Sequence, residues 1–253
     1  MTQHRSNAPL YRPGIAQAKR LVAEAARRSG AAGSLSARVE LVGEIGPGKA
    51  VSLAGVKQQL ARAPHAARLL MVIDSIGGNV HEAFAIYGAL REHPATIRAI
   101  VVGDCASAAI VPLMAADHRR LGRAGKLMVH RAHLDRRHVG IGKARLTAAR
   151  FRSYAELLAE ADDRILDLLI ERTGTPRALL VRAMRTGKQL RPIDARALGL
   201  VHEFDGSPPV DPSWPQRLAA ASQAGVAFDF PSHMFTSGYL AACRAAGPLS
   251  KGR

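Results

Sequence analysis

The sequence predicts an α/β domain: a layered, mainly parallel β-sheet with flanking helices, built from repeated strand-turn-helix units. Two observations carry that reading. Short apolar runs of strand length alternate with helical patterns along residues 38–204, and such alternation is the signature of parallel pairing. Gly and Pro clusters stand where one pattern gives way to the next, as at Gly46-Pro47-Gly48, Pro64, Gly77-Gly78 and Gly174.

Taken in order, RVELVGEI (38–45) alternates like a strand and stops at GPG, and Ser52 to Ala63 reads as a helix that ends before Pro64. RLLMVID (68–74) is a strand-length apolar run. Asn79 to Glu92 is helical, with Val80, Phe84, Ile86, Tyr87 and Leu90 marking one side. Ile97 to Val102 reads as a strand, Ala108 to Ala116 as a helix and Lys126 to His130 as a strand. Lys143 to Thr173 is one long helix, stopped by Gly174, and Pro176 opens the next. Asp194 to Leu198 is a short helix and Leu200 to Phe204 a last strand.

Bulk composition narrows the functional classes. The chain has 253 residues, 47% of them hydrophobic and 22% charged, which fits one globular domain with extensions. Aromatics are 4%, so Ala, Leu, Val and Ile must build the core. The longest apolar stretch, Ala99 to Ala116, is interrupted by Gly103 and Asp104 and contains Pro112. It reads as strand-turn-helix rather than a membrane span, and no membrane partner is expected. The opening MTQHRSNAPLYRPG has no apolar segment of signal-peptide type. Two cysteines, Cys105 and Cys243, make no disulfide framework, so a reducing cytoplasm is expected. The net charge of +16 is scattered, without a basic run interleaved with aromatics. Nucleic-acid binding is therefore not the expected function.

The chain divides into three parts. Residues 1–36 read as a basic N-terminal extension, partly disordered, with a helical pattern over Ile15 to Arg28. Residues 37–205 read as the core domain, and 206–253 as a C-terminal tail introduced by SPPVDPSWPQ.

Three short stretches carry chemistry. Asp74-Ser75-Ile76-Gly77-Gly78-Asn79 follows a strand and precedes a helix. Glycines there let backbone amides face a developing anion. Gly103-Asp104-Cys105-Ala106-Ser107-Ala108 puts a hydroxyl at a helix start, with the Ala108 amide beside it. That serine could equally be an ordinary helix N-cap. Leu127-Met128-Val129-His130 ends a strand in an imidazole, the usual base for a serine hydroxyl near neutral pH. Each alone reads as ordinary structure, but their order is a constellation. Glycines, a serine 30 residues on, and a histidine 23 residues later all fall at strand edges.

With these residues in that order the chain resembles the proteolytic subunit of the Clp protease, peptidase family S14, whose fold is Clp-protease/crotonase-like. The matching stretches are IDSIGGNVHEAFAIYGAL (73–90), VVGDCASAAIVPLMAADHRR (101–120), LMVHRA (127–132) and ERTGTPRALLVRAMRTGKQLRPIDARALGLVHE (171–203), with VELVGEIG upstream. The resemblance implies acyl transfer from peptide bonds, with Ser107 as nucleophile, His130 as general base, and the amides of Gly77 and Ala108 as oxyanion hole. It implies no metal and no organic cofactor. It also implies a peptide or unfolded-protein substrate, a homo-oligomeric ring and an AAA+ unfoldase partner. The chain has no GxxxxGK[ST] phosphate loop, so ATP use would belong to that partner.

Three departures from the family pattern stand out. Ser75-Ile76-Gly77-Gly78 replaces the family's SPGG. Counting without gaps from TGTP (173–176), or back from ALGLVHE (197–203), puts the triad aspartate position at Gly187. Asp135 and Asp104 are the nearest acids in sequence, and no motif assigns either. The linker after His130 is rewritten as HLDRRHVGIGKARL, where the family joins two rings. Gly187 raises the alternative of a catalytically silent subunit that fills ring positions or binds partners. Two others carry less support. Crotonase-type acyl-CoA chemistry needs no serine and histidine at this spacing, and a Ser-Lys peptidase of the signal peptide peptidase A type fits the His130 context less well.

Overall fold

The computed structural model describes residues 37–134 and 147–206. The expected Ile15–Arg28 helix, the tail, Asp135 and the first residues of the expected long helix lie outside these. Strand β1 is Ala37–Ile45, helix α1 Leu53–Ala61, β2 Arg68–Gly78, α2 Val80–Glu92 and β3 Thr96–Ala106. A 3₁₀ turn, Ser107–Ala109, leads into α3, Ile110–Leu113. Then follow β4 His118–Leu121, β5 Lys126–Met128, α4 Ala148–Thr173, α5 Arg177–Thr186, β6 Gln189–Leu190, α6 Pro192–Ala197 and β7 Glu203–Phe204.

The strands form one seven-stranded sheet in the order β1-β2-β3-β4-β7; β5 pairs with β3, and β6 with β5. Every described pairing is parallel except β5 with β6. The predicted α/β layering is therefore present. Parallel neighbours need crossover connections, and α1 and α2 supply them between β1, β2 and β3. A central parallel strand is covered on both faces, which is why RLLMVID is a continuous apolar run and Leu69 to Ile73 are all buried. Ile86 and Leu90 of α2, Ile97 and Val101 of β3, and Ile110 and Leu113 complete the same core. Helix starts follow their capping chemistry. Ser52 accepts the Gly55 N–H (3.3 Å), Asn79 that of Glu82 (2.9 Å) and Thr147 that of Arg150 (3.3 Å).

Several boundaries differ from the sequence reading. β2 and β3 run on through Gly78 and Ala106, so both site motifs belong to strand ends. The expected helix 108–116 is much shorter. Asp117 captures Ile97 with both its N–H (2.9 Å to Ile97 O) and its carboxylate (2.8 Å from the Ile97 N–H). That pair pulls the chain back into the sheet as β4. The expected strand 200–204 contracts to Glu203–Phe204, because the Leu200 N–H turns back to Ala195 O (3.0 Å).

β4 was not predicted, because HRRL has no apolar alternation, yet Arg119 within it is 3% exposed. Its guanidinium has carbonyls for partners: Leu200 O (3.0 Å), Ala116 O (3.0 Å), Gly199 O (3.0 Å) and Arg172 O (3.4 Å). These bonds tie the return segment 199–204 to the sheet. Burial, with Arg172 nearby, lowers its pKa to about 10. Arg119→Leu takes the guanidinium donors from Leu200 O, Gly199 O and Arg172 O, while Ala116 O keeps Arg172 Nη2 (3.3 Å). It is expected to destabilise the fold by about 3 kcal/mol or more, read as a shift in the urea midpoint.

His202 packs beside this arginine, its Nδ1 accepting the Arg119 N–H (2.9 Å) and its ring stacked 5.2 Å from that of His118. Burial first, and then the Arg119 charge, press its pKa down to about 4. The folded state therefore holds His202 neutral, while the unfolded chain takes up a proton near its ordinary value of 6.5. The stability from this site is complete above that value and is lost as pH falls from about 6.5 through about 4. His202→Gln should flatten the pH dependence of unfolding free energy in that window; an unchanged slope would mean that the ring is not held neutral.

Candidate active site

Strand β3 delivers Ser107 to the edge of the sheet. Its last residues pair with β5 as Asp104↔Lys126, Cys105↔Leu127 and Ala106↔Met128. Beyond Ala106 the chain turns sharply, and Ser107 takes φ +57°, the one non-glycine residue with positive φ among the described residues. A serine in that region costs on the order of 1–3 kcal/mol, and such strain concentrates at functional positions. The serine is half-buried and caps no helix. The N-cap alternative is therefore not what its side chain does.

Gly77 is what makes room for this turn. A Cβ on it would stand 2.5 Å from Ala106 O, 2.8 Å from Ala108 N and 2.8 Å from Ser107 Cβ. Only a glycine lets the end of β2 lie directly against the serine turn, and its φ of +87° is likewise a glycine conformation. Gly77, Ser107 and Ala108 are thus brought together. The turn is pinned from below: Ser75 Oγ donates to Gly43 O (2.6 Å) and accepts the Gly77 N–H (3.2 Å). Ala108 is the second residue of its 3₁₀ turn, where an N–H has no acceptor within the turn.

His130 follows β5. The antiparallel pairs Leu127↔Leu190 and Met128↔Gln189, continued by two residues, set His130 opposite Gly187. A Cβ on Gly187 would lie 3.5 Å from His130 Cβ, an ordinary contact distance. Gly187 also ends α5 in the left-handed region, at φ +58°. The residue found by counting along the chain is therefore the histidine's neighbour in space, and it offers no carboxylate.

The imidazole finds another partner. Nδ1 lies 2.7 Å from Arg131 O, and the ring tilts against that of His133 at 5.0 Å. A carbonyl can only accept, so Nδ1 carries the hydrogen and Nε2 is the basic nitrogen. The Arg131 N–H donates to Met184 O (3.2 Å), and the Ala132 N–H donates to Asp162 Oδ1 of α4 (2.6 Å). No hydrogen bond joins Ser107 Oγ to His130 among the described residues. Catalytic bonds of this kind are often loose before substrate arrives.

Of the two acids near these motifs in sequence, Asp104 does not serve the histidine. Asp104 makes no hydrogen bond to His130; its N–H donates to Asp74 Oδ1 (2.9 Å). Asp135 is not among the described residues. Burial, helped by the Asp104 charge, pushes the Cys105 thiol well up, so this buried cysteine is no rival nucleophile. Among the described residues no three His, Cys, Asp or Glu side chains are grouped to hold a metal ion, and no helix is long and apolar enough to cross a membrane. Asp162 escaped the sequence reading. It is one of several carboxylates on a helix that looks solvated, 30 residues from Ala132.

A strained serine on a glycine strand end and a histidine beyond β5, both on a parallel α/β sheet, are features that a serine hydrolase can use. Comparison with known proteins makes this specific. The family model described as Clp protease matches residues 36–205. The chain is 25% identical over 135 residues to the ATP-dependent Clp protease proteolytic subunit 1 of Chlamydia caviae, covering 53% of this chain and 68% of that protein. It is 24% identical, over the same length and shares, to that of Chlamydia pneumoniae. Among solved structures, a mutant of ClpP1 from Listeria monocytogenes shares the fold with a TM-score of 0.55 at 21% identity, covering 67% of this chain and 91% of that one. The chain belongs to the Clp protease family.

Proposed function

We propose that this chain is a serine peptidase of the Clp proteolytic-subunit type, with Ser107 as nucleophile and His130 as general base. The observation that carries the reading is the strained Ser107 turn pressed against Gly77 and Ala108. In the reaction, Nε2 of His130 takes the hydroxyl proton as Ser107 Oγ bonds to the peptide carbonyl carbon. The carbonyl electron pair moves onto oxygen, towards the Ala108 and Gly77 amides. Gly77 must share or release its bond to Ser75 Oγ to contribute. The C–N bond then breaks, the leaving amine takes the proton from His130, and water repeats the sequence to free the acid. No metal or organic cofactor enters any step.

Assembly into a ring, feeding by an AAA+ unfoldase and a cytoplasmic location belong to the same proposal and rest on family membership. So does the division into an extension (1–36), a catalytic domain (37–205) and a tail (206–253).

The test is hydrolysis of short fluorogenic peptides by the full chain and its Ser107→Ala and His130→Ala variants. Both variants should fold and lose activity. Retained hydrolysis in Ser107→Ala would remove that serine as nucleophile. Gly187 favours a second reading, a silent subunit. A folded, assembled chain without hydrolysis that co-purifies with an active paralogue would favour it.

A further inference from the structure

The carbonyl that holds His130 and the N–H that meets Asp162 belong to one peptide group. Arg131 O accepts from His130 Nδ1 at 2.7 Å, and the N–H of the next residue, Ala132, donates to Asp162 Oδ1 at 2.6 Å. Carbonyl and N–H of one amide are conjugated. A carboxylate on the N–H pushes electron density onto the carbonyl oxygen, and linked hydrogen bonds polarise one another. Asp162 therefore faces the imidazole electrically through a single peptide bond, on the nitrogen where a triad carboxylate would sit.

We propose that Asp162 is the positioning residue that replaces the missing triad acid. It fixes the Arg131–Ala132 peptide so that its carbonyl holds Nδ1–H of His130 and leaves Nε2 as the base. The same peptide, made more negative by Asp162, stabilises the imidazolium that forms when Nε2 takes the serine proton. The contact at Gly187 explains why a relay is needed: that position approaches the ring but carries no acceptor side chain. Asp162 and His130 are each half-buried; the Ala132 N–H bond to Asp162 is partly shielded, while the Nδ1 bond to Arg131 O faces solvent. The Arg131 N–H on Met184 O holds the other side of the segment, so the peptide plane is fixed from two elements.

The inference rests on the peptidase reading for its effect on rate, but not for its effect on the ring. Two measurements on the full chain separate the two. First, ¹⁵N imidazole spectra of histidine-labelled protein, with the His130 signals identified from a His130→Ala sample, read the tautomer directly. The wild type should show Nδ1–H with a bare Nε2, and Asp162→Ala should show a mixture. The Nε2–H tautomer in the wild type, or an unchanged ring in Asp162→Ala, overturns the inference whether or not the protein hydrolyses peptides.

Second, Asp162→Asn keeps an acceptor for the Ala132 N–H but removes the charge. It should lower kcat roughly 10-fold with KM unchanged, the scale of losing the hydrogen-bond partner behind a metal-bound histidine. In a Gly187→Asp background, where a carboxylate reaches the ring directly, the same change should cost less than about 2-fold. An equal loss in both backgrounds marks Asp162 as merely structural and overturns the inference. A wild type with the expected tautomer but no hydrolysis defeats the peptidase reading alone.

Discussion

Gly187→Asp is expected to raise kcat for peptide hydrolysis by about 10²- to 10³-fold. The register of β5 and β6 puts position 187 opposite His130, and a Cβ there meets His130 Cβ at 3.5 Å, an ordinary contact, so the first carbon of the side chain fits. The backbone is left-handed at φ +58°, which aspartate tolerates better than most residues, at a cost of about 1 kcal/mol. Removing the aspartate of a triad while keeping its geometry costs about 10⁴ in kcat in a well-studied case. The gain here should be smaller, because Arg131 O already engages Nδ1. kcat and KM on a fluorogenic peptide, beside a thermal melt, decide it. A folded variant with no gain would mean that His130 does not work as base from this position.

Ser107 carries the second large effect, in two directions at once. Ser107→Gly and Ser107→Ala should both lose about 10³–10⁴ in kcat: removing the serine of a complete triad costs about 10⁶, and this site already lacks the 10²–10³ that an acid at position 187 would supply. Their stabilities should differ. Alanine keeps the Cβ that makes φ +57° costly; glycine removes it at the expense of some chain entropy. The glycine variant should be about 0.5–1 kcal/mol more stable than the alanine variant in urea unfolding. Equal stability would mean that the turn stores no strain, and the link between strain and function at Ser107 would go with it.

Much of the fold could be read from residue patterns because parallel strands announce themselves: RLLMVID is apolar throughout since both its faces are covered. The glycine, serine and histidine motifs were legible for a related reason, as each sits where a strand ends and the backbone must turn. What escaped the sequence depends on tertiary pairing. HRRL becomes a strand because β3 needs a neighbour and because Arg119 is satisfied in part by the Gly199 and Leu200 carbonyls, 80 and 81 residues away in chain. The α3 segment stops early because Asp117 is captured by Ile97. Gly187 could be placed by counting, but its closeness to His130 follows from a strand two residues long that no periodicity reveals. Asp162 had no signal at all, since a carboxylate on an exposed-looking helix is distinguished only by the Ala132 N–H it meets.

The measurement that bears most directly on Ser107 as an activated nucleophile is reaction of the full-length protein with a fluorophosphonate, followed by peptide mapping of the adduct. One adduct on Ser107, lost in Ser107→Ala and strongly slowed in His130→Ala, is the predicted result. A folded protein that forms no adduct, or one whose Ser107 reacts at the same rate without His130, would contradict it.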